Sequence, residues 1–235
     1  MKISAEEKEF IENYNPGDFE RPSVTVDIII CTIKDGRLQI LLIRRGGFPF
    51  KNLHALPGGF LDLTLNESLE EAALRELKEE TGVSKCFVEQ LKTYGDIKRD
   101  PRTRVITVAY YALLPYESIE KPVAGDDAKE VGWFDVKNLP KLAFDHKDII
   151  GNLIERLRGK ISYTPIGFSL VNKRFTWLEL QAVYEALLGK KLLSTNFRRD
   201  ILRQYNIKET DKKADITTPG KKPALLQFKG QKKVF

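Results

Sequence analysis

The chain of 235 residues has little cysteine: only Cys31 and Cys86. Neither lies in a C-x-x-C spacing or beside another ligand residue, which weighs against a disulfide framework and against a thiolate metal cage. Two free thiols buried in a reducing cytosol are expected. Long apolar runs are also missing. The most apolar stretch, residues 26–32, is interrupted by Asp27 and is far shorter than the ~20 residues a membrane helix needs. The first twelve residues are mostly charged and polar, unlike a secretory signal. Repeats and low-complexity segments are absent. These absences point to a cytoplasmic protein with no membrane partner.

What is present is enough for a packed core, with 42% hydrophobic residues and a net charge of +6. The charge is uneven. From Lys160 onward there are 16 Lys and Arg against 6 Asp and Glu; before it there are 23 against 27. Such asymmetry suggests two units with different partners. A basic C-terminal unit is an electrostatic footprint for nucleic acid, although a merely soluble basic surface would show the same count.

Local patterns divide the chain the same way. A short helix is expected over 5–13. Residues 24–32 and 38–45 read as strands joined by the Asp35-Gly36 turn. The strongest helix spans 67–81, with Asn66 and Ser68 as alternative caps, Gly82 at its end, and Leu69, Ala73 and Leu77 as its buried stripe. Strands follow at 87–95, 104–114 (the central one) and 131–134. An amphipathic helix over 148–158 stops at Gly159. This is a mixed α/β domain, 1–159. The second unit, 160–235, starts with a helix over 177–187 capped by Thr176. Another helix covers 196–205, capped by Ser194 or Thr195, and two strands lie at 207–210 and 224–229. Helix, turn, helix and a basic two-stranded ribbon is the plan of a winged helix-turn-helix.

The 67–81 helix carries the chemistry. Glu76, Glu79 and Glu80 stand at i, i+3 and i+4, so they share one face. Their mutual repulsion weakens the helix, and Arg75 offsets only part of it. Hard oxygen ligands gathered this way suit Mg²⁺ or Mn²⁺, which share their shell with substrate phosphates. Upstream, Gly58-Gly59 allows backbone to approach a phosphate closely. A solvated glutamate-rich face would have the same spacing without the glycines.

This stretch resembles the Nudix box, G-x5-E-x7-R-E-U-x-E-E-x-G-U, where U is aliphatic. The match is complete from Glu67 through Arg75, Glu76, Leu77, Glu79, Glu80, Gly82 and Val83. The resemblance implies an α+β fold with a Nudix α/β/α sandwich and mixed sheet, and metal-assisted attack of water on a diphosphate. It implies Glu76 and Glu80 as main metal ligands and Glu79 as support for metal or water. Arg75 and Glu67 would orient the carboxylates. One departure stands out: seven residues separate Gly59 from Glu67, and Leu61 occupies the glycine position of the pattern.

In the second unit, Asn196, Arg198, Arg199 and Arg203 lie along the expected recognition helix. Phe197, Ile201 and Leu202 are expected to pack inward, and Lys212, Lys213, Lys221 and Lys222 to line the wing. Arginines there suit guanine or phosphate; a module that binds protein is the alternative. Taken whole, the chain resembles the Nudix-related transcriptional regulators, the NrtR family. The match includes PSVTVD at 22–27, RDPR at 99–102, AFDH at 143–146 and NFRR at 196–199. The resemblance implies a homodimer on a double-stranded DNA operator, governed by ADP-ribose or a related ligand. Lengthened loops ahead of the box also occur among these regulators.

Other residues stay open. Arg99, Arg102 and Arg104 crowd a loop beside the box and can clamp phosphates as planar forks. Arg44, or its neighbour Arg45, faces the site from a strand end. Asp126, Asp127 and Glu130 offer a general base, or only a solvated acidic loop. For His146 a structural hydrogen bond is expected. Two functions follow: a ligand-responsive regulator, or a Mg-dependent hydrolase of ADP-ribose-like substrates.

Overall fold

The computed structural model describes residues 3–83, 85–119, 128–214 and 222–232. Helix α1, Ala5–Asn13, matches its expected span and buries no residue. Strands β1 (Ser23–Lys34), β2 (Arg37–Arg45), β3 (His54–Ala55) and β4 (Gly58–Phe60) precede helix α2 (Leu69–Thr81). Strands β5 (Phe87–Tyr94), β6 (Val105–Leu113) and β7 (Ala128–Asp135) lead to helix α3 (His146–Lys160). The sheet is mixed and runs β3-β2-β1-β6-β5, with β4 added to β1 and β7 to β2. Among the described strands, β1 and β6 form the one parallel pair, in register from Ser23 with Val105 to Cys31 with Leu113.

Both faces of β1 are covered, which explains why its sequence is a run rather than an alternation. Val26, Ile28 and Ile30 meet Ala72, Ala73 and Leu77 of α2. Ile29 and Cys31 meet Ile149, Ile150, Leu153 and Leu157 of α3 on the other side. Asp27 therefore faces the α3 side, and it is the only charge in the buried centre of the strand. The thiols are free, Cys31 buried and Cys86 half-buried, and burial pushes the Cys86 thiol up to about 11.

Helix α2 starts two residues later than the pattern suggests. Ser68 accepts from the Glu71 N–H, and Glu71 accepts from the Ser68 N–H, a closed capping box. Asn66 does not cap; it takes a left-handed turn at φ 52°. Gly82 ends the helix at φ 72°, as only a residue without Cβ does at little cost.

Helices α4 (Trp177–Leu188) and α5 (Ser194–Gln204) and the hairpin of β8 (Tyr205–Lys213) and β9 (Ala224–Gln231) complete the chain. Thr176 caps α4 through a second capping box. Three expectations need correction. α3 does not stop at Gly159 but runs through it to Lys160, because Leu157 and Ile161 are buried on the same face and their packing outweighs the ~1 kcal/mol helix penalty of glycine. Neither Ser194 nor Thr195 caps α5; Leu193 occupies that position without a side-chain bond. Leu202 is 43% exposed, since Phe197 and Ile201, one turn apart, define the buried stripe and Leu202 sits ~100° away.

The core does not break between the two halves. Ile149, Leu153, Leu157 and Ile161 share one buried cluster with Leu180, Val183, Leu187, Phe197, Ile201 and Leu226. Arg158 donates from Nε to the Leu187 carbonyl at 3.4 Å. The expected division at 159/160 falls within the last turn of α3. No helix among the described residues is long and apolar enough to cross a membrane.

Candidate functional site

Arg75 organises the carboxylates of α2. Its Nε and Nη2 donate to both oxygens of Glu67 at 3.1 and 2.9 Å, and Nη1 donates to Glu76 at 2.9 Å and Glu79 at 3.5 Å. Glu67 lies outside the helix, just before its cap, so the fork ties the incoming loop to the carboxylate face of α2. Burial raises the Glu76 carboxyl above its usual range despite Arg75. Glu80 lies outside the fork. It is 7% exposed, and its Oε2 has no hydrogen-bond partner among the described residues. Burial, then the charges of Glu76 and Glu79, push its carboxyl up to about 7. A buried, unpaired carboxylate oxygen beside two further carboxylates is a group that a hard cation would satisfy. Among the described residues no group of three or more His, Cys, Asp or Glu side chains is placed to hold a metal ion by itself. Magnesium does not need one, being held commonly by one or two carboxylates and completed by water and phosphate.

A cavity of about 330 Å³ adjoins this face. Gly58 and Gly59 form the wall between them. A Cβ on Gly59 would come within 3.1 Å of Glu76 Oε1, so the bare backbone is what lets this carboxylate lie against the strand. Gly58 has φ +152°, and a Cβ there would sit 2.2 Å from the Val26 carbonyl oxygen. The other walls include Arg45, Phe48, Phe60, Arg102 and Phe144.

The six ligand candidates are not all equivalent. Gly58, Gly59, Arg99 and Arg102 line the cavity. Arg102 is held flat by Asp100, with Nε and Nη2 at 3.0 and 2.8 Å from its oxygens, and lies 5.3 Å from the Phe60 ring centre. This pairing holds the Asp100 carboxyl below its ordinary range. Arg99 forms the floor and is only 7% exposed. Its Nε and Nη2 donate to Asp145 at 3.0 and 2.9 Å, and Nη2 reaches Asp27 at 3.5 Å. It is thus a cation held at the cavity floor by two carboxylates rather than a loose clamp. Arg104 is exposed and does not line the cavity. Arg44 pairs with Glu130 at 3.4 Å, while Arg45, one residue on and so on the opposite face of β2, lines the cavity with its guanidinium 4.9 Å from the Phe144 ring. Glu130 is thereby engaged away from the cavity; Asp126 and Asp127 lie outside the described residues.

His146 has the structural part expected of it. Its Nδ1 accepts from the Leu56 N–H at 2.9 Å, so the neutral ring carries its proton on Nε2, 3.7 Å from Asp27 Oδ1. Burial lowers its pKa and keeps the ring uncharged.

On the second module, α5 exposes Asn196, Arg198, Arg199 and Arg203 while Phe197 and Ile201 are buried. Arg198 lies 5.7 Å from the Trp177 ring centre, and Arg199 pairs with Asp200 at 3.3 Å. Lys212, Lys213 and Lys222 are exposed along the hairpin; Lys221 lies outside the described residues.

Comparison with known proteins matches residues 21–157 to the NUDIX domain and residues 167–228 to the NrtR DNA-binding winged helix domain. The chain is 38% identical over 222 residues to the ADPR responsive transcriptional repressor NtrR of Acinetobacter baylyi, covering 94% of this chain and 87% of that one. The chain belongs to the NrtR family of Nudix regulators. Its structure is similar to that of Shewanella oneidensis NrtR complexed with a 27mer DNA, with a TM-score of 0.77 and 36% identity over 88% of this chain and 93% of that one. The NUDIX domain of the same Shewanella protein complexed with ADP ribose is also similar, at a TM-score of 0.59 and 40% identity over 64% of this chain and 98% of that one.

Within this NrtR-type chain, sequence reasoning overlooked Asp27 and Asp145 as partners of Arg99, and the aromatic wall of Phe48 and Phe144. Asp27 had a readable signal: one charge inside a strand buried on both faces needs a partner. Asp145 had none, because nothing local ties it to a residue 46 positions away.

Proposed function

We propose that this chain is an ADP-ribose-responsive transcriptional repressor that binds an operator through its winged helix and a nucleoside diphosphate sugar through its Nudix cavity. The observation that carries the reading is the pairing of two complete surfaces on one continuous core. A cavity rimmed by Arg45 and Arg102 adjoins a carboxylate helix, and the α5 helix turns Asn196, Arg198, Arg199 and Arg203 outward. Arg198 and Arg199 stand near the N-terminal end of α5, where a recognition helix reads base edges. Lys212, Lys213, Lys221 and Lys222 would hold phosphates. The reading places the protein in the cytoplasm, with its DNA, as a homodimer on a palindromic site.

Magnesium or manganese would be held by Glu76 and Glu80 with support from Glu79, and the ion would neutralise charge on the diphosphate oxygens. Arg75, held by Glu67, orients Glu76 and Glu79. Arg102 would lie beside the phosphates, and Gly58 and Gly59 let the backbone approach them. Hydrolysis of the bound ligand is a second reading, favoured by the completeness of the carboxylate set and the unpaired buried oxygen of Glu80.

The test of the regulator uses a duplex selected in vitro on the whole protein. Arg198→Ala with Arg199→Ala should weaken binding by about 1–3 kcal/mol for each arginine that reads a base, or lower the salt slope by about one for each arginine that neutralises a phosphate. Added ADP-ribose should release the duplex from the unmutated protein. Unchanged affinity and unchanged salt slope in the double variant would remove α5 from the interface.

A further inference from the structure

The start of α3 is built unusually for a helix. Asp145 stands at the N-cap position, yet its side chain makes no capping hydrogen bond. Aspartate there ordinarily accepts from the N–H two or three residues on. Here both carboxylate oxygens accept from Arg99 instead, at 3.0 and 2.9 Å. The preceding residue, Phe144, adopts φ +51°, a left-handed backbone uncommon for a residue with a bulky side chain. Its ring lines the cavity under the Arg45 guanidinium. Groups that border the cavity therefore hold the first turn of α3, and they hold it out of its locally preferred arrangement.

The far end of α3 packs against the winged helix. Leu157 and Ile161 share a cluster with Leu180, Tyr184 and Leu187 of α4. Arg158 bonds the last turn of α4. Tyr184 in turn packs edge-on against Phe197 of α5 at 5.1 Å. A helix of 15 residues spans ~22 Å, and packed cores shift as rigid pieces rather than deforming smoothly.

We propose that Asp145 is a two-position positioning residue that reports occupancy of the cavity to the DNA-binding helix through α3; the proposal rests on the function assigned above. With the cavity free of anion, Asp145 serves as counter-ion to Arg99. A diphosphate in the cavity brings negative charge to the same guanidinium and competes with Asp145. The Asp148 N–H already donates to the Asp145 carbonyl at 2.9 Å, so the released carboxylate turns to the Lys147 N–H, the first turn of α3 rearranges, and α4 and α5 move with it. The ligand thereby favours one of two discrete states, which is the requirement for coupling between two sites.

The test measures two affinities in the full-length protein: ADP-ribose by calorimetry, and selected duplex by fluorescence anisotropy with and without saturating ADP-ribose. The unmutated protein should show coupling of about tenfold. Asp145→Asn keeps the shape and can still cap the helix but is a poorer counter-ion. Its affinity for DNA without ligand should fall to the ligand-saturated value of the unmutated protein, and its coupling should approach one. Arg99→Lys, which keeps the charge but loses the fork, should behave in the same direction and serves if the asparagine variant does not fold. Folded variants that bind both partners and couple as fully as the unmutated protein overturn the relay. Unmutated protein that does not bind ADP-ribose overturns the functional reading, and the relay with it.

Discussion

Gly58 and Gly59 are neighbours, but alanine at each should have a different effect. At Gly58 the new Cβ would lie 2.2 Å from the Val26 carbonyl oxygen and 2.9 Å from the Asp27 Cα. Both are backbone atoms of β1, which at Val26 and Asp27 is paired with β6 on its far side and cannot retreat. The φ of +152° adds strain for any residue with a Cβ. Backbone strain costs roughly 1–3 kcal/mol and overpacking about the same again, so about 4 kcal/mol is expected. For a chain of this size each kcal/mol lowers Tm by roughly 2–4 °C, giving a fall on the order of 10 °C. At Gly59 the new Cβ would meet only Glu76 Oε1, at 3.1 Å, the far end of a side chain that can move. Stability should change by less than about 1 kcal/mol, while the Mg²⁺-induced rise in Tm should diminish because Glu76 is displaced. Differential scanning fluorimetry with and without Mg²⁺ reads both effects. Gly58→Ala melting with the unmutated protein would refute the reasoning about β4, and an unaltered Mg²⁺ response in Gly59→Ala would refute that about Glu76.

Two other expectations follow from buried titratable groups. His146 is neutral in the fold, with a pKa lowered by burial, whereas in the unfolded chain it titrates near 6.5. The unfolded state thus binds more protons below that pH, so this contribution is complete above about pH 6.5 and is lost as pH falls towards the folded value; urea melts of His146→Gln should show a shallower loss over that window, and an identical slope would contradict the assignment. Glu80→Gln should abolish both the Mg²⁺-dependent rise in Tm and any Mg²⁺-dependent release of AMP from ADP-ribose, a result that a persistent Mg²⁺ response would refute.

The carboxylate helix was legible in the sequence because everything that makes it is local. Ser68 and Glu71 cap it, Gly82 ends it, and the spacing of Glu76, Glu79 and Glu80 places them on one face. The order of modules and the outward arginines of α5 were legible for the same reason: periodicity, caps and charge lie within one helix or hairpin. Loop side chains were different. Arg99, Arg102 and Arg104 look equivalent along the chain, yet one is held between Asp27 and Asp145 at the cavity floor, one lies flat at the cavity edge and one is exposed away from the cavity. Arg45 rather than Arg44 reaches the cavity because strand alternation turns it inward, and only the packed sheet shows which face is inward. The tertiary structure also decided that α3 passes through Gly159 and that both halves share one core, since burial of Leu157 and Ile161 against α4 outweighs the local signal to stop. Sequence by itself thus determined the chemistry each helix carries; long-range packing decided which charges face the ligand and how the two modules are joined.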